Sequence, residues 1–447
     1  MQTCAWVCRC DRLAEGRTWA SRLAPRIMDA SDLELRDGPK QDLHSLRARD
    51  NTLDELSDQI QRSAAVRASA AFKDTADMAL LRRLLQDRPV LVTGSAGYLG
   101  LALHLTLRKL GVAVFGVDVV PGETVDSVAD VADADAMRRC GQACGAVLHT
   151  AALHAPHAAS WHAREFAATN VVGTTNVLAL GLPTVHTSTT SLTITSRVKA
   201  REKAGELVWL DEHSQRPDVT TTRGGDGEST GDAYDEELDA PRNKYGRTKL
   251  EAEQRCLAAA TKPSSAGVVV LRAPRFFPED VLEESELQLA NIKANELLGR
   301  RCALVDLVDA HLRALARIGL VRGAVLTVAA PWPLTHRRDG GSSVTAARDA
   351  AVELRARYPR AELLFSRHGW RLPERVTRVY DCEAAVRALD WQPRVTFEAL
   401  LRAMEEAEVD EAEADKGEAL EDGPMSKRRE VAATSDPTLE ELLSGKF

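Results

Sequence analysis

Between Pro89 and Asp118 the chain reads as a buried strand, a glycine turn, a helix and a second strand that ends in an acid. Few folds accommodate that order. Pro89-Val-Leu-Val-Thr93 is an apolar run of strand length that passes directly into Gly94-Ser-Ala-Gly97-Tyr-Leu-Gly100. Gly94 permits a tight turn, Gly97 lets a pyrophosphate approach the backbone, and Gly100 allows a helix to pack closely on the strand. The helix, Leu101 to Leu110, closes at Gly111, and its first turn presents free N–H groups to phosphates. Tyr98 and Leu99 lie inside this turn and join the three glycines as candidate cofactor contacts. The second strand, Ala113 to Val117, ends at Asp118, placed to accept hydrogen bonds from a ribose 2′-OH and to repel a 2′-phosphate. Val119 and Val120 follow, with no arginine, so the pattern predicts NAD rather than NADP.

Strand and helix patterns alternate onward. Strands are predicted at 89–93, 112–117, 146–150, 184–188, 267–272 and 324–328, and helices at 98–110, 133–140, 160–180, 243–260 and 306–318. This alternation predicts an α/β fold with a doubly wound parallel sheet. Within it, Tyr245-Gly-Arg-Thr-Lys249 places a phenol and an ammonium on one helix face, about 6 Å apart. A cation that close favours the phenolate, which suits proton exchange near neutral pH. The spacing is weak evidence alone. It gains weight from the run of hydroxyls upstream, Val185-His-Thr-Ser-Thr-Thr-Ser191, at a predicted strand end.

Taken in order, these motifs resemble the extended short-chain dehydrogenase/reductases, the NAD-dependent epimerase/dehydratase group. The resemblance spans about residues 89 to 405. It rests on Thr93 to Gly100, Asp130-Val131, Val147 to Ala152, Asn170 to Leu178, Val185 to Ser191, Pro241 to Lys249, Val305 to His311 and Leu389 to Arg394. It implies a Rossmann-type sheet with a small C-terminal substrate subdomain, drawn mainly from 275–305 and 330–405, and an NAD cofactor. Asp130, Val131, Ala151, Ala152, Asn170, Thr187 and Pro274 would contact that cofactor, together with Tyr245 and Lys249. Tyr245 would be the general acid/base. Lys249 would lower its pKa and hold the nicotinamide ribose. Thr189 would hydrogen-bond the reacting oxygen, with Thr187, Ser188 and Thr190 as close rivals. The resemblance also implies a homodimer built on the helices at 160–180 and 243–260.

Departures from the family pattern narrow the substrate. Thr190 and Ser191 follow Thr189 where sugar-nucleotide dehydratases carry an Asp-Glu pair, which disfavours water loss. Arg275 stands near the place of a common asparagine, and the stretch from Phe277 to Val305 is short for a bulky sugar nucleotide. Asn291, Lys293, Asn295, Glu296, Arg300 and Arg301 form a polar, net basic segment that suits an anionic or polyhydroxylated small molecule, or equally a charged surface helix. Thr189, Arg275, Asn291 and Arg301 are the candidate substrate contacts. His311 is ionisable near neutral pH, but its apolar helical surroundings favour a core role. The expected activity is an NAD-dependent oxidoreductase or epimerase acting at a secondary alcohol or ketone of a sugar-like substrate. The alternative is a non-catalytic dinucleotide-binding regulator or scaffold.

The remainder of the 447 residues lies outside this domain. Net charge is −8, which gives no electrostatic footprint for nucleic acid. No apolar run is long enough for a membrane helix. Residues 1–88 form an N-terminal extension. Its first 27 residues carry five arginines and two acids, which reads either as a transit peptide to an organelle or as an unstructured leader on a cytoplasmic protein. Residues 52–86 carry a helical apolar pattern, an added arm. Cys4, Cys8 and Cys10 lack a partner cluster with zinc spacing, so no metal site is expected. Residues 212–240, rich in Gly, Asp, Ser and Thr, read as a mobile insertion. The acidic stretch that starts at Glu405 opens a tail over 406–447 that reads as solvated and largely disordered, with a short helix at Pro437 to Leu443.

Overall fold

The computed structural model describes residues 51–154, 161–214, 235–276, 286–334 and 345–418. Two helices, α1 (Asn51–Lys73) and α2 (Ala76–Leu85), precede the sheet. The chain continues through β1 (Val90–Thr93), α3 (Tyr98–Lys109), β2 (Val114–Asp118), β3 (Ser127–Val128), α4 (Ala134–Gly141) and β4 (Ala146–His149). Next come α5 (Ala163–Ala167), a π-helical turn (Ala168–Val172), α6 (Gly173–Leu178), β5 (Thr184–Thr189) and a 3-10 turn (Thr190–Thr193). α7 (Ser196–Ala204), β6 (Val208–Leu210), α8 (Glu236–Asp239), α9 (Lys244–Ala260) and β7 (Val268–Ala273) follow. The last part holds α10 (Glu286–Glu296), α11 (Leu304–Ala316), β8 (Val325–Thr327), α12 (Ala347–Arg357), α13 (Ala361–Arg367), β9 (Arg378–Tyr380), α14 (Glu383–Leu389) and α15 (Phe397–Glu418).

Seven parallel strands form the main sheet in the order β3-β2-β1-β4-β5-β7-β8. Thr93 pairs with Val117 on one side and His149 on the other. The chain leaves β1 toward β2, then crosses back to β4 on the far side. This reversal of direction opens a crevice at the carboxyl ends of β1 and β4, the usual ligand position in such sheets. A separate parallel pair, β6 with β9, lies outside the main sheet. The strands expected at the six positions are present. The sequence pattern missed β3, β6 and β9, which have two or three residues each and are too short to show a period.

Alternation along β1 assigns the two faces of the sheet. Val90 and Val92 point into the larger cluster with α1, α2, α3 and α11, whereas Leu91 joins Val117, Val147, Met137 and Val177 on the other face. α9 packs on that second face through Cys256 and Ala260 against Val268 and Val270. The arm therefore adds to the α3 and α11 side of the sheet. Ile60, Ala64, Ala68 and Phe72 of α1 are buried against α3 and α11. It does not cover α5, α6 or α9, which pack together on the opposite face.

Two expectations are corrected. The single helix at 160–180 is interrupted by the π-helical turn at Ala168–Val172, which contains the buried Asn170. The acidic stretch is not disordered from Glu405, because α15 continues to Glu418. Its start is anchored by buried Leu400, Leu401, Ala403 and Met404. Arg360 then pairs with Glu405 at 3.0 Å and with Glu408 at 2.7 Å, while Arg367 also pairs with Glu408. Alanine and glutamate, strong helix formers, extend it. The expected leader, the cysteines before residue 11, most of the 212–240 insertion and the 437–443 helix lie outside the described residues.

Candidate active site

The glycine turn closes by backbone approach. Gly94 has φ +71°, a conformation open to glycine, and a Cβ on Gly100 would lie 2.0 Å from the Gly94 carbonyl oxygen. α3 begins at Gly97 with no side-chain cap, so its first-turn amides face the crevice without a protein acceptor from the N-cap side chain. Asp118, 3% exposed at the end of β2, accepts from Ala96 N at 2.9 Å and from Val120 N at 3.2 Å. The acid thus braces the turn it faces. Asp130 Oδ1 accepts from Ala132 N at 2.9 Å, and Val131, Ala151, Ala152 and Pro274 are buried.

Asn170 is spent inside the protein. Its Oδ1 accepts from Leu153 N, and its Nδ2 donates to Leu153 O and Thr248 Oγ1, at 2.8, 3.1 and 3.1 Å. It ties the loop after β4 to α9.

α9 starts at Asn243, whose Oδ1 caps Gly246 N at 2.8 Å. Glycine at 246 is required, since a Cβ there would lie 2.9 Å from Pro241 Cβ. The cap sets Tyr245 in the first turn and Lys249 one turn on, both buried. The Thr189 side chain at the end of β5 faces the Tyr245 phenol and favours its ionised form. Lys249 Nζ donates to Thr187 O at 2.7 Å. The three groups singled out as Tyr, Lys and Thr are brought together from α9 and β5.

The electrostatics differ from the expectation. Burial pushes the Tyr245 phenol up to about 12, and the Thr189 side chain pulls it back only in part. Desolvation exceeds the attraction expected from the i, i+4 spacing. Burial also draws the Lys249 ammonium down to about 8, opposed by Cys256 and Glu253.

Sequence reading missed three supports. His154, on the loop after β4, stacks on the Tyr245 ring with centroids 5.8 Å apart. Glu253, one turn beyond Lys249, accepts from Ser188 Oγ at 2.5 Å and pairs with Arg272 at 2.8 Å, with both charged side chains about 2–3% exposed. Phe276 stacks on Tyr98 at 6.3 Å. Glu253 was findable, because it shares the α9 face with Lys249. The other two depend on contacts distant in sequence.

The remaining candidates turn inward. Arg301 is 0% exposed and pairs with Glu296 at 3.2 Å. Asn291 Oδ1 accepts from Asn295 Nδ2 and Arg371 N, both at 3.1 Å. Both hold α10 through Glu296 and backbone partners. Arg275 stays half exposed and pairs with Glu296 at 2.9 Å. His311 is fully buried between Thr187 Oγ1 at 2.8 Å and Leu307 O at 2.7 Å, and burial holds it down to about 4, a neutral core residue. Among the described residues no group of three or more His, Cys, Asp or Glu is arranged to hold a metal, and no helix is long and apolar enough to cross a membrane.

Residues 90–288 match the profile of the NAD dependent epimerase/dehydratase family. Comparison with curated proteins gives no match. Solved structures similar to the chain include a short-chain dehydrogenase/reductase superfamily protein from Agrobacterium tumefaciens with bound NAD, 19% identical, covering 73% of this chain and 99% of that one at a TM-score of 0.43. UDP-N-acetylglucosamine 4-epimerase from Bacillus cereus is 16% identical over 69% of this chain and 95% of its own, at 0.43. UDP-glucose 4-epimerase from Thermotoga maritima, with UDP-glucose, is 18% identical over 69% and 95%, at 0.42. The matched residues 90–288 hold the strand, turn and Tyr-Lys residues described above, and make this segment similar to the NAD dependent epimerase/dehydratase family.

Proposed function

We propose that the chain is an NAD-dependent oxidoreductase or epimerase that transfers hydride at a secondary alcohol or ketone of a small, sugar-like substrate. The observation that carries this reading is the Lys249 Nζ–Thr187 O hydrogen bond, which sets Lys249 and Tyr245 of α9 at the carboxyl end of β5 beside Thr189. The residues fit a dinucleotide: an uncapped α3 N-terminus, a buried acid at the end of β2 and a buried ammonium one turn from the phenol. Gly94, Gly97, Tyr98, Leu99 and Gly100 would hold its pyrophosphate, and Asp118 the adenosine ribose.

NAD, when bound, accepts the hydride. Tyr245 takes the hydroxyl proton during oxidation and returns it during reduction. Thr189 hydrogen-bonds the phenol and the reacting oxygen. Lys249 holds the ribose and supplies positive charge. A phenol near 12 is a poor base at neutral pH, and a bound nicotinamide cation lowers the cost of its ionisation.

The domain in this reading spans 89–405, with substrate elements from 275–305 and 330–405, where the Arg275 guanidinium reaches solvent. A homodimer would form on α5, α6 and α9, where Val172 is 46% exposed. Incubating the protein with NAD and a panel of sugars, sugar acids and hydroxysteroids tests the activity. NADH released in proportion to substrate identifies a dehydrogenase. Isomerised substrate without NADH release identifies an epimerase. Dinucleotide binding with neither would favour the non-catalytic reading.

A further inference from the structure

The family match begins at residue 90, and α1 lies wholly before it. Yet α1 touches the glycine turn and the loop beside it. Gln61, 3% exposed, donates from Nε2 to the Tyr98 carbonyl oxygen at 3.0 Å. Tyr98 is the first residue of α3. The next residue, Arg62, pairs with Glu123 at 2.6 Å. Glu123 belongs to the loop after β2, and its neighbour Thr124 donates from Oγ1 to Ser95 O, inside the turn, at 2.6 Å. The turn is therefore gripped from α1, from the loop after β2, and from Asp118 through Ala96.

The direction of the arm follows from its anchors. Gln61 meets the start of α3, while Asp77, just inside α2, pairs with Arg313 at 3.2 Å and Arg317 at 2.8 Å at the end of α11. α11 starts beside the crevice and ends at the opposite edge of the sheet, since His311 in its middle bonds Thr187 of β5. The arm therefore descends from the crevice. The helix from Asn51 to Ile60 extends past Gln61 for about 15 Å on the crevice side.

We propose that this arm is part of the dinucleotide site, with Gln61 and Arg62 as positioning residues that hold the glycine turn and its neighbouring loop for the cofactor. The inference rests on the dinucleotide reading above. Gln61 fixes the first peptide units of α3, whose amides would face the pyrophosphate, so the turn does not have to be ordered by the ligand. Arg62 and Glu123 are about half exposed, and their pair contributes less. The arm thus raises cofactor affinity without touching the reacting atoms.

The test is NADH binding by the full-length protein, by fluorescence or calorimetry, with the melting temperature recorded alongside. Gln61→Leu keeps the side-chain volume and removes the donor. Gln61→Glu keeps the shape and sets a carboxylate against the Tyr98 carbonyl. The dissociation constant should rise about 3- to 10-fold in the first and further in the second. The KM for NAD should rise by the same factor, and kcat at saturating NAD should move much less. NADH affinity within twofold of the unaltered protein in both variants overturns the proposal and leaves the arm as packing. If either variant fails to fold, Arg62→Ala decides. Its partner is on the surface, so it should fold and weaken NADH about twofold at low salt. Unchanged affinity in Arg62→Ala then overturns the proposal. An unaltered protein that binds no dinucleotide overturns both this inference and the function it rests on, while normal binding in the variants overturns this inference alone.

Discussion

Lys249 and Thr187 are joined by a 2.7 Å hydrogen bond from the buried ammonium to a strand carbonyl, which fixes α9 on the end of β5. Lys249→Met keeps the length of the side chain and removes the donor. It should lower turnover by about 10² and also weaken NAD. The melting temperature should fall as well, because the Thr187 carbonyl is left without its partner. Separate measurement of kcat and the NAD dissociation constant checks this, since loss of only one of the two would assign the ammonium a single role.

The Glu253–Arg272 pair holds α9 on the neighbouring strand β7. Both side chains are buried, and Arg272 also donates from Nη1 to Glu212 O at 3.2 Å. Glu253→Ala leaves a buried guanidinium unpaired, which costs about 3–5 kcal/mol. Denaturant unfolding of Glu253→Ala, and of a Glu253→Leu, Arg272→Met double variant, tests the point. The double variant should recover much of the loss, because it removes both charges together.

Asp118→Ser should weaken NAD(H) relative to NADP(H) by removing the ribose acceptor and the repulsion of a 2′-phosphate. It should also loosen the turn, since Ala96 N and Val120 N lose their acceptor. Affinities for both dinucleotides in the same buffer report it. An unaltered protein that prefers NADP(H) would remove Asp118 from this role.

Stability should fall in acid. His149, His186 and His311 are buried, and desolvation, the largest cause in each, lowers all three, His149 to about 3 and His311 to about 4. Below the unfolded value of 6.5 the unfolded chain binds more protons than the folded one. Their contribution is therefore complete above 6.5 and is lost as the pH falls through the window down to the folded values, by at most about 1.4 kcal/mol per pH unit for each. Asp306 opposes this in part. Burial raises it from 3.8 to about 6, so between those values the folded chain holds the extra proton. Melting temperatures between pH 7 and pH 4.5 should decrease, and His311→Asn should flatten the slope.

The central sheet was legible because β1, β2, β4 and β7 are mostly apolar runs of strand length. Tyr245 and Lys249 were legible because their relation is local to one helix. Three kinds of feature were not. β6 and β9 each have three residues and pair across the chain, Val208 with Arg378, so no local period marks them. Asn170, Asn291 and Arg301 look like binding groups in the sequence, but their partners Leu153, Arg371 and Glu296 are fixed by tertiary packing. The phenol was expected to be acidic from its lysine, whereas burial governs it, and burial cannot be read from spacing. The helical pattern at 52–86 was visible, but its contact with Tyr98 was not, because Gln61 carries no periodic signal.

Turnover of Tyr245→Phe tests the account most directly. The substitution removes one oxygen, the one facing Thr189, and leaves the ring packed with Leu153 and Phe166. With a substrate found by the panel, single-turnover reduction of NAD by the unaltered protein and by Tyr245→Phe should differ by about 10² or more, while NADH binding stays within about threefold. Equal rates in the two proteins would contradict the assignment of Tyr245 as the proton-transferring group, and with it the hydride-transfer site described for this chain.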